Sequence, residues 1–196
     1  MALGISLGGH SVWHLLLHEP CITTGIVVVG CPDYLELMKD RARLSKLSAW
    51  TSSKPPGSSF IGSEYFPDAL VHAVRKYDPT AYYFGVSQQF PEKREDSEHH
   101  QAQAQLLDKT LRGKRILNLA GGADKLVPYE KSKRFMNWLR TATGPQGWYR
   151  HGADIVVEDI VYQGVGHEMT SEMLEESVQF LTTSLSKASK TSSSKL

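Results

Sequence analysis

A Gly-x-Ser-x-Gly sequence near the start of the chain, from Gly4 to Gly8, holds the first candidate for chemistry. A helical pattern follows it directly, and glycines allow the sharp turn that lifts a serine hydroxyl clear of a sheet. Ser6 is therefore the predicted nucleophile. A helix start points free backbone N–H groups at the same place, so the backbone amide of Leu7 is the predicted oxyanion donor. The pentapeptide alone also fits a plain glycine-rich turn. The choice between a nucleophile and a turn therefore depends on whether the sequence also offers a base and an acid for Ser6.

A serine nucleophile needs a histidine that takes its proton and a carboxylate that holds the histidine. His167 ends the segment Gly-Val-Gly-His between the last predicted strand and the last helix, and it is the predicted general base. Asp124 follows an apolar strand in Gly-Gly-Ala-Asp-Lys-Leu-Val-Pro and is the predicted acid. Asp33, in Gly-Cys-Pro-Asp after an earlier buried strand, is the alternative acid. Each can be an ordinary turn or capping residue, but their order matches a Ser-Asp-His triad.

Other residue types with possible chemistry are three histidines and two cysteines. His10, His14 and His18 share one helical face, a spacing that could hold a metal ion. No carboxylate or cysteine completes that set, so no metal and no other cofactor is expected. Cys21 and Cys31 have no Cys-x-x-Cys partner and lie on no elbow, so we interpret them as reduced, buried thiols.

The elements that must position these residues are predicted from hydrophobic patterns. Continuous apolar, largely β-branched runs predict buried parallel strands, at 24–30, 115–120 and 154–162. Helical spacing of apolar residues predicts helices, at 9–18, 130–141 and 171–185. The second half thus alternates strand and helix, which indicates a doubly wound α/β sheet, mostly parallel.

The long segment 34–111 breaks this alternation and is predicted to be a helical cap inserted over the sheet. Its helices are expected at 34–46, 68–76 and 98–111, between loops rich in proline, glycine and serine. Aromatic residues are concentrated between Trp50 and Phe90. They fit either the cap's own core or an apolar substrate pocket.

Composition excludes several classes of protein. A length of 196 residues suits one domain, and 40% hydrophobic with 22% charged residues excludes disorder throughout. Lys and Arg number 22 against 21 acidic residues, with the signs interleaved, so no nucleic-acid partner is expected. Apolar stretches are far below the roughly 18 residues that a membrane span needs, so no membrane association is expected either.

The C-terminal segment 184–196 is rich in serine and lysine, contains no acid, and is predicted to be a flexible tail. Its last three residues, Ser194, Lys195 and Leu196, match the peroxisomal import tripeptide, which acts at the extreme C-terminus. A peroxisomal location and the import receptor as partner are therefore expected. The alternative is a solvated tail in which serine-rich composition produces the triplet.

Through these motifs the sequence resembles the α/β-hydrolase superfamily, in its esterase and dienelactone-hydrolase-like branch, from residue 1 to about 185. With Gly-Ile-Ser-Leu-Gly-Gly-His, Gly-Cys-Pro-Asp-Tyr-Leu-Glu-Leu-Met and the terminal Ser-Lys-Leu, it is similar to the peroxisomal hydrolases of AK-, AF- and ACT-type host-selective toxin biosynthesis in Alternaria. The resemblance implies a serine hydrolase acting on an acyl ester, thioester or lactone. It also implies a role in making a decatrienoic-acid-type toxin moiety.

Relative to that superfamily the sequence corresponds to the C-terminal portion of the fold. The domain 1–183 lacks the strands that precede the elbow and the loop that supplies a second oxyanion N–H. Only residues 1–3 precede the elbow motif, too few for the strand that should lead to Ser6, and an exposed sheet edge is expected. The alternative function is therefore a truncated, catalytically impaired hydrolase that acts at most as a binding protein.

Overall fold

Four parallel strands form the centre of the fold in the computed structural model, which describes residues 1–85 and 97–193. The strands are β1 (Ala2–Ile5), β2 (Thr24–Val28), β3 (Arg115–Gly121) and β4 (Val156–Tyr162), in the spatial order β1-β2-β3-β4. The predicted α/β class with a parallel sheet is confirmed. The expectation of no strand before Ser6 is wrong, because β1 pairs along its whole length with β2.

Helices connect the strands and extend the first half of the chain. In chain order they are α1 (Leu7–His18), α2 (Tyr34–Leu44), α3 (Ser48–Thr51), α4 (Asp68–Tyr77), α5 (Pro79–Phe84), α6 (Ser97–Thr110), α7 (Glu130–Thr143) and α8 (Ser171–Ser193), with a 3₁₀ turn at Gly152–Asp154. Five of the predicted helices agree with these bounds to within two residues, the last one extends eight residues beyond its predicted end, and α3 and α5 were not expected. None of the helices described is long and apolar enough to cross a membrane.

The sheet has a hydrophobic core on each face, because successive strand residues point to opposite sides. Val27 of β2 and Ile116 of β3 pack in a cluster with side chains of α1, α5, α6 and α7. Ile26 of β2 and Leu117 of β3 pack on the other face with Met173 and Phe180 of α8. Helices therefore cover both faces, as a doubly wound sheet requires.

The segment between β2 and α6 forms a third cluster of its own. Phe60 and Phe66 are buried there with Leu35 of α2 and Val71 of α4. Tyr83 instead packs in the main core. The aromatic residues of this region thus serve mainly as core, while Tyr65 and Tyr77 are exposed and Phe90 lies outside the described residues.

The C-terminal helix extends beyond the predicted start of a flexible tail at Ser184. Ser184 is buried, and its hydroxyl accepts a hydrogen bond of 2.7 Å from Arg115 Nε at the start of β3. Its hydroxyl also donates to the Phe180 carbonyl, so a serine is compatible with this helix face. Ser184 thus lies within α8, which continues to Ser193, and the flexibility predicted for 184–196 stays a prediction. Residues 194–196, the predicted import signal, lie outside the described residues.

Candidate active site

Ser6 occupies the turn between β1 and α1, with backbone angles φ 56° and ψ −116°. A positive φ is unfavourable for a residue with a side chain and costs on the order of 1–3 kcal/mol. The backbone N–H of Ser6 donates to the Val28 carbonyl at 2.9 Å, which continues the β1–β2 ladder into the turn. This backbone hydrogen bond of Ser6 therefore helps to hold the residue in its unfavourable conformation.

The turn requires a glycine at only one of the two glycine positions of the pentapeptide. A Cβ on Gly4 would overlap the Gly8 carbonyl, so no side chain fits there. A Cβ on Gly8 itself would meet nothing within 4 Å. The next residue, Gly9, is the crowded one, because its Cβ would lie 3.0 Å from the Cα of Gly30 at the end of β2. Close packing of α1 against β2 therefore depends on Gly9.

His167 lies in the loop after β4 and faces Ser6. Its Nε2 is 2.8 Å from Ser6 Oγ, and its Nδ1 is 2.7 Å from Asp124 Oδ2. The imidazole is partly accessible, with 20% of the side chain exposed, whereas the Asp124 side chain is fully enclosed. With Nδ1–H donating to the carboxylate, Nε2 is free to accept the hydrogen bond of the serine hydroxyl.

The loops after β3 and β4 are held against each other, and this contact positions the two side chains. A Cβ on Gly121 would overlap the carbonyls of Val165 and Gly166, and Ala123 N–H donates to Val165 O at 2.8 Å. The second oxygen of Asp124, Oδ1, accepts backbone N–H groups from the following turn, at 2.8 and 2.9 Å. Both carboxylate oxygens are thereby fixed.

Asp33, the alternative acid, lies elsewhere. It caps the start of α2, where its Oδ1 accepts the Glu36 N–H at 3.0 Å. The carboxylate that contacts His167 is that of Asp124. The strand order explains the difference, because β3 is the neighbour of β4 whereas β2 is one strand further away.

Leu7 is the first residue of α1, so its backbone N–H has no partner within the helix. The Leu7 side chain is 75% exposed and packs nowhere in the core. Its contribution to the site is therefore that of the amide, beside Ser6 at the positive end of the helix dipole.

His10 is a residue whose place sequence reasoning did not identify. Its Nδ1 accepts the Cys31 N–H at 2.8 Å, so the ring ties the first turn of α1 to the loop after β2 and carries its proton on Nε2. Burial lowers the pKa of His10 to about 4, and the nearby charges of Arg41, His14 and His167 act in the same direction. The ring is therefore neutral near pH 7.

The remaining histidines and the cysteines do not assemble into a site. The His18 ring packs against Tyr77, and within the ranges described no three His, Cys, Asp or Glu side chains form a group that could hold a metal. Burial raises the pKa of the Cys31 thiol to about 12, which leaves it unreactive. Cys21 is exposed, contrary to the predicted burial.

Comparison with known proteins yields matches of structure at low sequence identity. No family model and no curated protein matches the sequence. A variant of SOBER1 from Arabidopsis thaliana has a TM-score of 0.44 at 14% identity, covering 93% of this chain and 51% of that chain. The esterase Pf2001 from Pyrococcus furiosus has a TM-score of 0.45 at 16% identity, with 92% and 51% coverage. The acylaminoacyl peptidase of Pyrococcus horikoshii has a TM-score of 0.43 at 16% identity, with 87% and 20% coverage. The chain spans about half the length of the first two.

Proposed function

We propose that this chain is a serine hydrolase of the α/β-hydrolase type that acts on an acyl ester, thioester or lactone. The observation that carries the proposal is the continuous contact of Ser6, His167 and Asp124, at 2.8 and 2.7 Å, with the serine on a strained turn. A nucleophile, a base within reach of it and a group that orients the base are the parts that acyl transfer needs.

The reaction follows from these contacts. His167 Nε2 takes the proton of Ser6 Oγ as the oxygen attacks the carbonyl carbon, and the resulting oxyanion is stabilised by the Leu7 N–H. His167 then gives the proton to the leaving group, which departs and leaves an acyl ester on Ser6. Water, deprotonated by the same Nε2, attacks that ester, and His167 returns the proton to Ser6 Oγ as the acid is released. Asp124 keeps Nδ1 protonated throughout.

The type of nucleophile favours acyl chemistry over epoxide opening. An aspartate at the elbow would form an ester with the alkyl carbon of an epoxide, whereas a serine attacks a carbonyl carbon. The residue at this turn is Ser6.

A second candidate function, binding without catalysis, is favoured by one observation. Among the residues described, β1 pairs with β2 alone, and Leu3 and Ile5 are 48% and 44% exposed. An open strand edge with apolar side chains can pair with another chain.

Covalent labelling with a fluorophosphonate probe tests the proposed function. The wild-type chain is expected to react at Ser6, and Ser6→Ala is expected not to react. Ser11→Ala is the matched control, because Ser11 lies one turn further along α1 and donates to the Leu7 carbonyl. Equal labelling of wild type and Ser6→Ala would exclude the hydrolase and leave the binding function.

We further propose that the terminal Ser194, Lys195 and Leu196 bind the peroxisomal import receptor. A fluorescent protein fused to the N-terminus should then be punctate in fungal cells and become diffuse when residues 194–196 are deleted. An unchanged pattern would refute import.

The resemblance to toxin-pathway hydrolases supports a role in host-selective toxin biosynthesis, and metabolite profiles of a strain without the gene test it. An unaltered set of toxin acyl intermediates would contradict that role.

A further inference from the structure

A buried carboxylate lies on β4, before the loop that carries His167. Asp159 points to the face of the sheet that α7 covers, two residues along the strand from Val157, and its side chain is fully enclosed. Its Oδ1 accepts a hydrogen bond of 2.8 Å from Nδ2 of Asn118, the opposite residue on β3. Its Oδ2 accepts a hydrogen bond of 2.6 Å from the hydroxyl of Tyr129. A carboxylate so far from water is costly unless it makes such bonds, so Tyr129 is a required partner.

Tyr129 joins this carboxylate to the turn that carries Asp124. The turn ends at Tyr129, where α7 begins. At its start, Asp124 Oδ1 accepts the N–H groups of Leu126 and Val127, so the carboxylate moves only together with the backbone around it. At its end, the Tyr129 hydroxyl is fixed on β4, the strand that leads to His167. The acid and the base are therefore connected through Tyr129 as well as by their direct contact.

A cavity of about 290 Å³ lies between this turn, the start of α7 and the end of β4. Asp124 and Tyr129 line it from the turn, and Val161 and Gln163 line it from the end of β4. Because open space lies at this place, hydrogen bonds hold the turn over β4 where close packing of side chains does not. The bond from Tyr129 to the strand crosses this region.

The other anchors in the middle of the turn lead away from β4. Val127 packs against residues of α2 and of the loop before it. The Leu126 carbonyl accepts a hydrogen bond of 3.0 Å from Arg41 Nη2 of α2. These contacts fix the turn relative to α2. Its distance from β4 and the following loop depends on the Tyr129 hydroxyl and on the backbone hydrogen bond from Ala123 described above.

We propose that Tyr129 is a positioning residue of the Ser6 site: its hydrogen bond to Asp159 holds the turn at the distance from β4 that the contact between acid and base requires. The inference rests on the proposed function, because it concerns the acid of that same site. Burial and the bond to Asp159 raise the pKa of Tyr129, so the hydroxyl keeps the proton that it donates. Without the hydroxyl, the buried Oδ2 of Asp159 keeps the Arg140 guanidinium at 3.8 Å, beyond hydrogen-bond distance, and the turn loses this anchor on β4.

Hydrolysis of p-nitrophenyl acetate tests the role of this bond. Tyr129→Phe removes the hydroxyl and keeps the ring. Its kcat should fall by about ten- to a hundredfold while KM stays within about twofold, since a displacement of about 1 Å at a catalytic group can cost about a hundredfold. Asp159→Leu removes the same bond from the other side and leaves no buried carboxylate, so it should show the same loss. A kcat within about twofold of the wild type in either variant would overturn the proposal.

Two further variants separate positioning from a general loss of stability. Asp159→Asn should keep kcat within about threefold, because its amide can accept from Asn118 and donate to the Tyr129 oxygen. Tyr149→Phe is the matched control: this hydroxyl donates to Asp108 at 2.9 Å, outside the site, so kcat should stay within about twofold. A loss in either variant equal to that in Tyr129→Phe would overturn the proposal.

The proton on His167 Nδ1 reports the position of the acid without any turnover. Held in a contact of 2.7 Å, it should give a downfield proton magnetic resonance that is absent from His167→Gln. The resonance should persist in Asp159→Asn and Tyr149→Phe and be lost in Tyr129→Phe, because a looser contact lets the proton exchange with water. An unchanged resonance in Tyr129→Phe, or none in the wild type, would overturn the positioning role even if the chain hydrolyses esters.

The resonance also separates this role from the proposed function. Its loss in Tyr129→Phe alone among these three variants, with a wild type that hydrolyses no ester, would support the positioning role and refute the proposed function. Thermal unfolding by circular dichroism checks that each variant is folded.

Discussion

Substitution of Asp124 by asparagine separates the role of its charge from that of its shape. Oδ1 of the aspartate accepts the N–H groups of Leu126 and Val127, and Oδ2 contacts His167. An asparagine whose oxygen keeps the two turn hydrogen bonds must present its NH₂ group to His167 Nδ1. A donor at that place requires Nδ1 to be unprotonated, which moves the proton to Nε2, and the base can then no longer accept the proton of Ser6.

The expected loss of kcat/KM follows from the free-energy cost of turning the asparagine amide the other way round. Turning the amide gives His167 an acceptor but places the NH₂ group against two backbone N–H donors, one buried and one partly buried, each of which loses its hydrogen bond at about 1–3 kcal/mol. The productive tautomer is then disfavoured by about 2–6 kcal/mol, so kcat/KM should fall by a factor between about 30 and about 10⁴. Stability should change little, because the turn keeps its hydrogen bonds in the dominant orientation.

Hydrolysis of a p-nitrophenyl ester, together with urea unfolding, measures both effects. Asp33→Asn is the matched control, because asparagine also caps a helix well and keeps an acceptor for the Glu36 N–H, so kcat/KM should stay within about twofold. A loss of less than about tenfold in Asp124→Asn would refute the reasoning about the tautomer. An equal loss in Asp33→Asn would refute the assignment of the acid.

Further substitutions at Gly4, Lys114 and Asp78, with Gly8→Ala as a control, test contacts that support the fold. Gly4→Ala should lower stability by about 1–3 kcal/mol and remove activity, because the new methyl group overlaps the Gly8 carbonyl, whereas Gly8→Ala enters open space and should not lower stability in thermal melts. Lys114→Met removes the hydrogen bonds from Nζ to the carbonyls of Leu16, in the last turn of α1, and of Glu19, just after it, and should cost about 1–3 kcal/mol in urea unfolding; no loss would show that these carbonyls are satisfied by water. Burial raises the pKa of Asp78 to about 7, above its unfolded value near 3.9, so its contribution to stability is complete below pH 4 and is lost as the pH rises to 7. In Asp78→Asn that loss should be absent from unfolding free energies measured between pH 4 and 7, and a wild-type-like slope would contradict the shift.

The second half of the fold could be predicted because its local signals agree with its tertiary environment. The runs at 115–120 and 154–162 are apolar and β-branched, and each is followed by a helical pattern. By contrast, the six-residue helix Pro79–Phe84 could not be recognised, since its Tyr83 and Phe84 point into a core built from distant elements. So short a segment has too little periodicity to predict a helix.

The choice between Asp124 and Asp33 depends on long-range information that motif order does not contain. Both residues follow a buried strand, and the carboxyl ends of parallel strands meet at the same edge of a sheet. Which carboxylate reaches His167 depends on which strand is the neighbour of β4, and that neighbour is β3. The crowding at Gly9, rather than Gly8, likewise depends on the approach of α1 to Gly30, which the spacing of a pentapeptide cannot report.

The position of β1 at the side of the sheet has a consequence for how heating should affect the proposed hydrolysis. Within the ranges described, this strand of four residues is bonded on one side only, and the Ser6 N–H depends on the last bond of that ladder, to Val28. Opening of β1 relaxes the unfavourable φ of Ser6 and leaves the pairing of β2, β3 and β4 intact. Such a local opening needs less free energy than global unfolding. Amide hydrogens of β1 should therefore exchange with solvent faster than those of β3, and ester hydrolysis should be lost at a lower temperature than the far-ultraviolet circular dichroism signal.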